Sequence, residues 1–200
     1  GDGLGGTGLE RFVKNFVPIG LIGPHILNAK ILLRQTWEEN LQWDDPLPEK
    51  LYSKWIQWFK SCVELDSISF NRCTRPVDVE EETPWLVIFS DGSQTASGYT
   101  AYVRWKTGPA VYTSHLLLVK NRIAPVKVVS VPRLELTGAL LGARGRKLIQ
   151  EACRYEFARV VHLVDSETVL SQINSIASRF KQYEGTRIGE IQRTCEGDMS

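Results

Sequence analysis

The sequence has no Cys-x-x-Cys pair, no apolar run of membrane length and no excess of either charge. Its four cysteines, Cys62, Cys73, Cys153 and Cys195, are widely spaced. That spacing argues against a zinc finger or a disulfide framework and fits a reducing, cytoplasmic setting. The longest apolar stretches are far too short to span a bilayer, so no membrane partner is expected. The N-terminal GDGLGGTGLE lacks the basic start and apolar core of a signal peptide, and residues 1–10 read as a flexible start. With 24 basic and 23 acidic residues the formal net charge is +1, so contact with nucleic acid would need a local basic patch. No internal repeat is visible. What is present is enough for a core: 42% of the 200 residues are apolar, which suits one or two domains.

Residues 11–70 read as helical. After Gly23-Pro24, a mixed face of Ile26, Leu27, Lys30, Ile31, Leu33, Arg34 and Trp37 follows. Asp45 can cap a second helix whose first position is Pro46. In that helix Leu51, Trp55, Phe59 and Val63 recur every four residues, an amphipathic stripe. Trp37, Trp43, Trp55 and Trp58 suit core packing between two helices, with a base-stacking platform as the sharper alternative. Residues 71–84, polar and carrying Pro76 and Pro84, form a linker.

Beyond the linker the period changes. Short strands are expected at Trp85–Phe89, Tyr99–Lys106 and Val111–Val119, with a turn at Gly108-Pro109, which makes an antiparallel meander. A helix opens at Pro132 and runs to about Cys153, with Leu136, Ala139, Leu140, Ala143 and Leu148 as its apolar face. Its Gly138, Gly142 and Gly145 each cost about 1 kcal/mol relative to Ala, which implies irregularity or close packing on the sheet. Arg159–Val164 is a fourth strand; Ser166 caps the next helix, with Leu170 and Ile173 inward, and a last helix covers about 185–194. The order β-β-β-α-β-α-α describes an α/β protein of the α+β type, a mixed sheet with helices on its faces.

The stretch VIFSDGS carries a carboxylate, Asp91, at the end of an apolar strand. Asp165 ends the fourth strand in the same way, and Glu135 stands in the first turn of the long helix. Each alone has an ordinary explanation as a turn residue, a cap or a helix-dipole partner. Together, with the first and fourth strands parallel, they would meet at one sheet edge. Three carboxylates at one place repel each other unless a cation binds, and oxygen-only ligands suit Mg²⁺ or Mn²⁺. Lys120, Arg122, Lys127 and Arg133 fall within a stretch free of acids. This is either a solvated loop or a phosphate-contacting patch.

SDGS, then VKNRIAPVKVVSVPRLELTGALLGAR, then VHLVDSETVL, resembles the ribonuclease H domain of the Pol polyprotein of BEL/Pao-type LTR retrotransposons. The upstream VPIGLIGPHILNAKILLRQTWEENLQWDDPLPEKLYSKWIQW resembles the segment that joins reverse transcriptase to that domain. The resemblance covers roughly residues 11–194, and its most specific part is K-x-R-x-A-P followed by PRLEL. It implies a ribonuclease H-like fold over residues 85–200, preceded by a small helical connection segment at 11–70. It further implies cleavage of the RNA strand of an RNA–DNA hybrid by two Mg²⁺ (or Mn²⁺) ions. Asp91 would bridge both ions, and Glu135 and Asp165 would each help hold one. The partners implied are the hybrid and the rest of Pol, namely reverse transcriptase and integrase.

The family pattern adds a fourth carboxylate, on a helix after a fifth strand and within Asn-x-Ala-Asp. This sequence ends in GDMS, where Asp198 lacks that context. The expectation is therefore a C-terminally truncated domain, weak or inactive as a nuclease. The chain also has Val17 to Gly20 (VPIG) where relatives carry D-P-L-G, and Gly145 where they carry a larger apolar residue. No Y-x-D-D polymerase motif is present. A non-catalytic nucleic-acid-binding remnant is the alternative. Segments of this family are also labelled Pao retrotransposon peptidases, but an aspartic peptidase wants Asp-Thr-Gly or Asp-Ser-Gly, and this chain offers Asp-Gly-Ser and Asp-Ser-Glu.

Overall fold

The first and fourth strands do run side by side and parallel. A computed structural model describes residues 20–195 apart from positions 68, 70, 72, 127 and 128. Two helices come first, α1 (Gly23–Glu38) and α2 (Glu49–Glu64). The strands β1 (Trp85–Gly92), β2 (Ala96–Gly108) and β3 (Val111–Ile123) follow, then α3 (Val131–Ala152), β4 (Arg159–Val164), α4 (Glu167–Ile173) and α5 (Gln182–Cys195). The sheet order is β3-β2-β1-β4, antiparallel except for the β1–β4 pair. No helix among the described residues is long and apolar enough to cross a membrane.

Strand geometry gives the sheet two faces. In β1 Leu86, Ile88, Ser90 and Gly92 are buried, and in β2 Ser97, Tyr99, Ala101, Val103 and Trp105 are buried. That face lies under α3, whose Leu141 and Ile149 join Leu86, Ile88, Tyr99 and Ala101 in one core. A second side of α3, Leu136, Ala139, Leu140 and Ala143, packs on Val169 of α4 and on Ile188 and Ile191 of α5. Buried on two sides, α3 has no room for side chains where it crosses the strands. Gly138 approaches the Asp91 backbone, Gly142 approaches the His162 ring, and Gly145 approaches the Tyr99 ring. The glycines are thus explained by close packing on the sheet. At Gly145 the Tyr99 ring fills the space a larger residue would take.

Several local expectations change. The second helix starts at Glu49 with Pro48 as its cap residue, whose carbonyl accepts from the N–H groups of Leu51 and Tyr52 at 2.8 and 2.9 Å. Asp45 instead accepts from the Gln42 N–H at 2.8 Å and closes a turn in the preceding loop. Only some of the tryptophans are core residues. Trp55 is buried against Ala29 and Leu32, with Trp58 and Phe59 beside it. Trp37 and Trp43, at 66% and 89% exposure, are not buried, because α1 turns Ala29 and Leu32 toward α2 and Trp43 sits in the connecting loop. Val63, Leu148 and Leu170 are also exposed, and Leu134 and Val169 are buried instead. The β2–β3 hairpin turns through Pro109 and Ala110, one residue later than expected, with Ala110 at φ 59°.

The small helical layer is docked on the sheet. α1 packs against β3, and the Arg34 guanidinium donates to the Ala124 carbonyl at 2.9 Å. At the other end of the fold Ser166 caps α4 as expected, its Oγ accepting from the Val169 N–H at 3.3 Å. Ser166→Ala should therefore lower stability by about 1 kcal/mol. A shifted urea midpoint with an unchanged slope would show this, and an unshifted midpoint would mean the cap is idle.

Candidate active site

Strand alternation decides where the first carboxylate points. With Ser90 and Gly92 buried beneath α3, Phe89 and Asp91 open onto the other face of the sheet. Asp91 is exposed, and its Oδ1 accepts from the Gly92 N–H at 2.6 Å. β4 keeps register with β1, Phe89 beside Leu163 and Ser90 beside Val164. Asp91 and Asp165 each follow the last paired position of that ladder. Both aspartates line a cleft of about 650 Å³. Pro24 and Leu27 of α1 and Lys120 and Asn121 of β3 contribute to its walls.

Glu135 arrives by another route. The helix begins at Val131, so Glu135 lies in its second turn rather than its first. What brings it near β1 is Gly92. A Cβ on Gly92 would collide with the Leu134 carbonyl and come within 2.6 Å of the Glu135 nitrogen. Glu135 is half-buried on the α3 side of the strand end and does not line the cleft. The fold therefore joins Asp91 with Asp165 and sets the backbone of Glu135 against the residue that follows Asp91. Among the described residues no three His, Cys, Asp or Glu side chains converge closely enough to hold a metal ion.

The basic residues separate in the same way. Lys120 lines the cleft, opposite Tyr99 in register, and Arg122 is exposed two positions further along β3. Arg133 is engaged elsewhere: its Nε donates to the Glu184 carboxylate at 2.7 Å, and its guanidinium lies 4.9 Å from the Tyr183 ring centre. The Arg133 hydrogen bond holds the Glu184 carboxyl below the usual carboxylate range. Lys127 and Asp198 lie outside the described residues.

Directly behind Asp91 is a pair that sequence reasoning passed over. Ser90 Oγ and His162 Nε2 are 2.8 Å apart, in hydrogen-bond contact. Gly142 of α3 closes over the ring. Burial, with the Arg146 charge as the lesser cause, pushes the His162 pKa from 6.5 down to about 4. The imidazole is therefore neutral at pH 7, a positioning group for β1 and β4. A histidine within VVHLV, among apolar neighbours, was the available signal.

Residues 7–166 match the model of the Pao retrotransposon-like RNaseH-like domain, a span that contains Asp91, Glu135 and Asp165. Among solved structures, one similar chain is a foamy viral protease-reverse transcriptase in complex with an RNA/DNA hybrid. It is 7% identical, with a TM-score of 0.38, and the match covers 80% of this chain and 24% of that one. This chain thus spans about a quarter of that protein's length. No curated protein matches.

Proposed function

The chain belongs to the Pao retrotransposon-like RNaseH-like domain family, and from that premise we propose that it hydrolyses the RNA strand of an RNA–DNA hybrid. The observation that carries this reading is that Asp91 and Asp165, each just past the parallel β1–β4 ladder, line one cleft. Their oxygen-only donor chemistry, with Glu135 nearby across Gly92, fits a hard divalent cation such as Mg²⁺ or Mn²⁺. A bound cation supplies Lewis-acid activation of water and offsets charge at the phosphoryl centre. Asp91, Asp165 and Glu135 are the residues that would hold it.

The other residues of the cleft have simpler tasks. Lys120 neutralises backbone phosphate at the cleft edge, and Asn121 offers both a donor and an acceptor there. Pro24 and Leu27 narrow the cleft from the α1 side. His162 stays neutral and holds Ser90, and through it the end of β1, in place. In the wider proposal the hybrid and the remainder of Pol, reverse transcriptase and integrase, are the partners.

A second reading is favoured by the incomplete convergence of the three carboxylates, which describes a domain that binds the hybrid without cutting it. One experiment separates the two. A labelled hybrid is incubated with the chain, with Asp91→Asn and with Glu135→Gln, in Mg²⁺ and in Mn²⁺. Cleavage that falls about 10–100-fold in Asp91→Asn, with or without a fall in Glu135→Gln, supports the hydrolase, by the usual cost of losing a metal-site group. Salt-sensitive binding without cleavage supports the second reading. Cleavage indifferent to Asp91→Asn overturns the assignment of the site.

A further inference from the structure

The face of the sheet that carries Asp91 carries a second feature at its far end. Trp85, Val87, Phe89 and Asp91 alternate along β1 onto that face. Trp85 is flanked in register by Arg104 on β2 and by Arg159 on β4, so three neighbouring strands place an Arg-Trp-Arg row across the sheet. The Arg104 guanidinium lies 5.3 Å from the Trp85 ring centre and 3.8 Å from that of Tyr112. The Arg159 guanidinium lies 5.1 Å from the same Trp85 ring. Two like charges are thus held against one indole.

Neither arginine has a carboxylate partner or donates a hydrogen bond among the described residues. Three acids just before β1 face other cations: Glu80 and Glu81 pair with Lys106, at 3.3 and 2.9 Å, and Glu82 lies 3.9 Å from Arg75. A guanidinium seated on a ring has already lost much of its rotamer freedom, yet it keeps its planar fork of donors. Two such forks side by side, with no anion between them, are arranged for a phosphate. Isolated solvated arginines would not share one ring.

The position suggests which phosphate. Trp85 and Asp91 are six residues apart on one strand face, about 20 Å at the rise of an extended chain. That is roughly six base pairs of duplex at about 3.4 Å per step. We propose that Arg104 and Arg159, seated on Trp85 and Tyr112, form a phosphate clamp that grips the backbone of the RNA–DNA hybrid away from the carboxylate cleft. The clamp rests on the hydrolase or hybrid-binding reading above, and it adds a site that the cleft alone does not contain. It contributes no sequence preference, because it touches only backbone.

The test is hybrid binding by fluorescence anisotropy across a salt series. The chain is compared with Arg104→Gln/Arg159→Gln and with Arg104→Lys/Arg159→Lys, after melting curves establish that all three fold. Removing two phosphate contacts should flatten the slope of log K against log salt by about 1.8. The Lys pair should restore that slope, with weaker affinity, because it keeps charge and loses the planar fork. An unchanged slope in the Gln pair, or no restoration by Lys, overturns the clamp and leaves the cleavage reading untouched. Competition by inorganic phosphate that matches competition by unlabelled hybrid, phosphate for phosphate, marks a free-anion site and also overturns it. If the unaltered chain does not bind the hybrid at all, the hybrid reading itself falls and the clamp falls with it.

Discussion

Gly138→Ala is expected to destabilise the chain by about 2–3 kcal/mol, although the same change inside a free helix would stabilise it by about 1 kcal/mol. The sign reverses because of what the new methyl meets. A Cβ on Gly138 would overlap the Asp91 carbonyl oxygen and lie 2.7 Å from its carbon. Both are backbone atoms of β1, tied into the ladders with β2 and β4, so they cannot swing aside as a side-chain tip can. Overpacking of this kind costs about 1–3 kcal/mol and sometimes more, and a contact with fixed backbone belongs at the upper end. The helix must lift off the strand, and Glu135 then moves away from Asp91. Gly189→Ala in α5 is the control. There a Cβ would find its nearest neighbour at 3.5 Å, the end of the Arg193 side chain, so that variant should be neutral or slightly stabilised. Urea denaturation of both variants decides the matter. A Gly138→Ala chain as stable as its parent would falsify the close approach of α3 to β1.

Acid should weaken the fold before the carboxylates titrate, and His162 is the reason. Its folded pKa is lowered from 6.5 to about 4, chiefly by burial. The unfolded chain therefore binds this proton more readily than the folded one. The stability from the neutral imidazole is fully present above pH 6.5 and is lost as pH falls toward 4. Each pKa unit is worth about 1.4 kcal/mol, so about 3 kcal/mol should vanish between pH 7 and pH 4. Glu184 and Glu190 are held low by Arg133 and Arg144, and their losses come later, starting in the ordinary carboxylate range and continuing below it. His162→Gln keeps a polar partner for Ser90 and removes the titration. Its stability should vary by less than 1 kcal/mol over the same window, apart from the carboxylate contribution common to both chains. Parallel pH curves for the two chains would mean that His162 is not desolvated as described.

Much of the fold was legible along the chain, and the reasons are local. The apolar run in WLVIFSDG and the loose alternation in ASGYTAYVRWKTG mark them as strands, and the structure buries alternate residues of both. Ser166 before an apolar helical pattern is a cap in sequence and in structure. The three glycines of α3 left two readings open, irregularity or close packing on the sheet, and the atoms they approach decide for the second. Boundaries were less legible. Pro48 took the capping position expected of Asp45, since its fixed φ and extended ψ suit the entry and its carbonyl receives two amides.

By itself the sequence determined the order of elements, the place of Asp91 and Asp165 at strand ends and that of Glu135 near the start of α3, because periodicity and capping act within a few residues of chain. Tertiary structure alone decided which of those groups meet. The parallel register unites Asp91 with Asp165 across 74 positions, since Ser90 pairs with Val164. Gly92 lets α3 bring Glu135 close while leaving it outside the cleft. Glu184 claims Arg133 from the basic segment. Arg104 and Arg159 share one indole although no local pattern links them. Trp37 and Trp43 went to the surface for the same reason: only the packing of one helix on another assigns an inside to a side chain, and that packing is made by contacts distant in sequence.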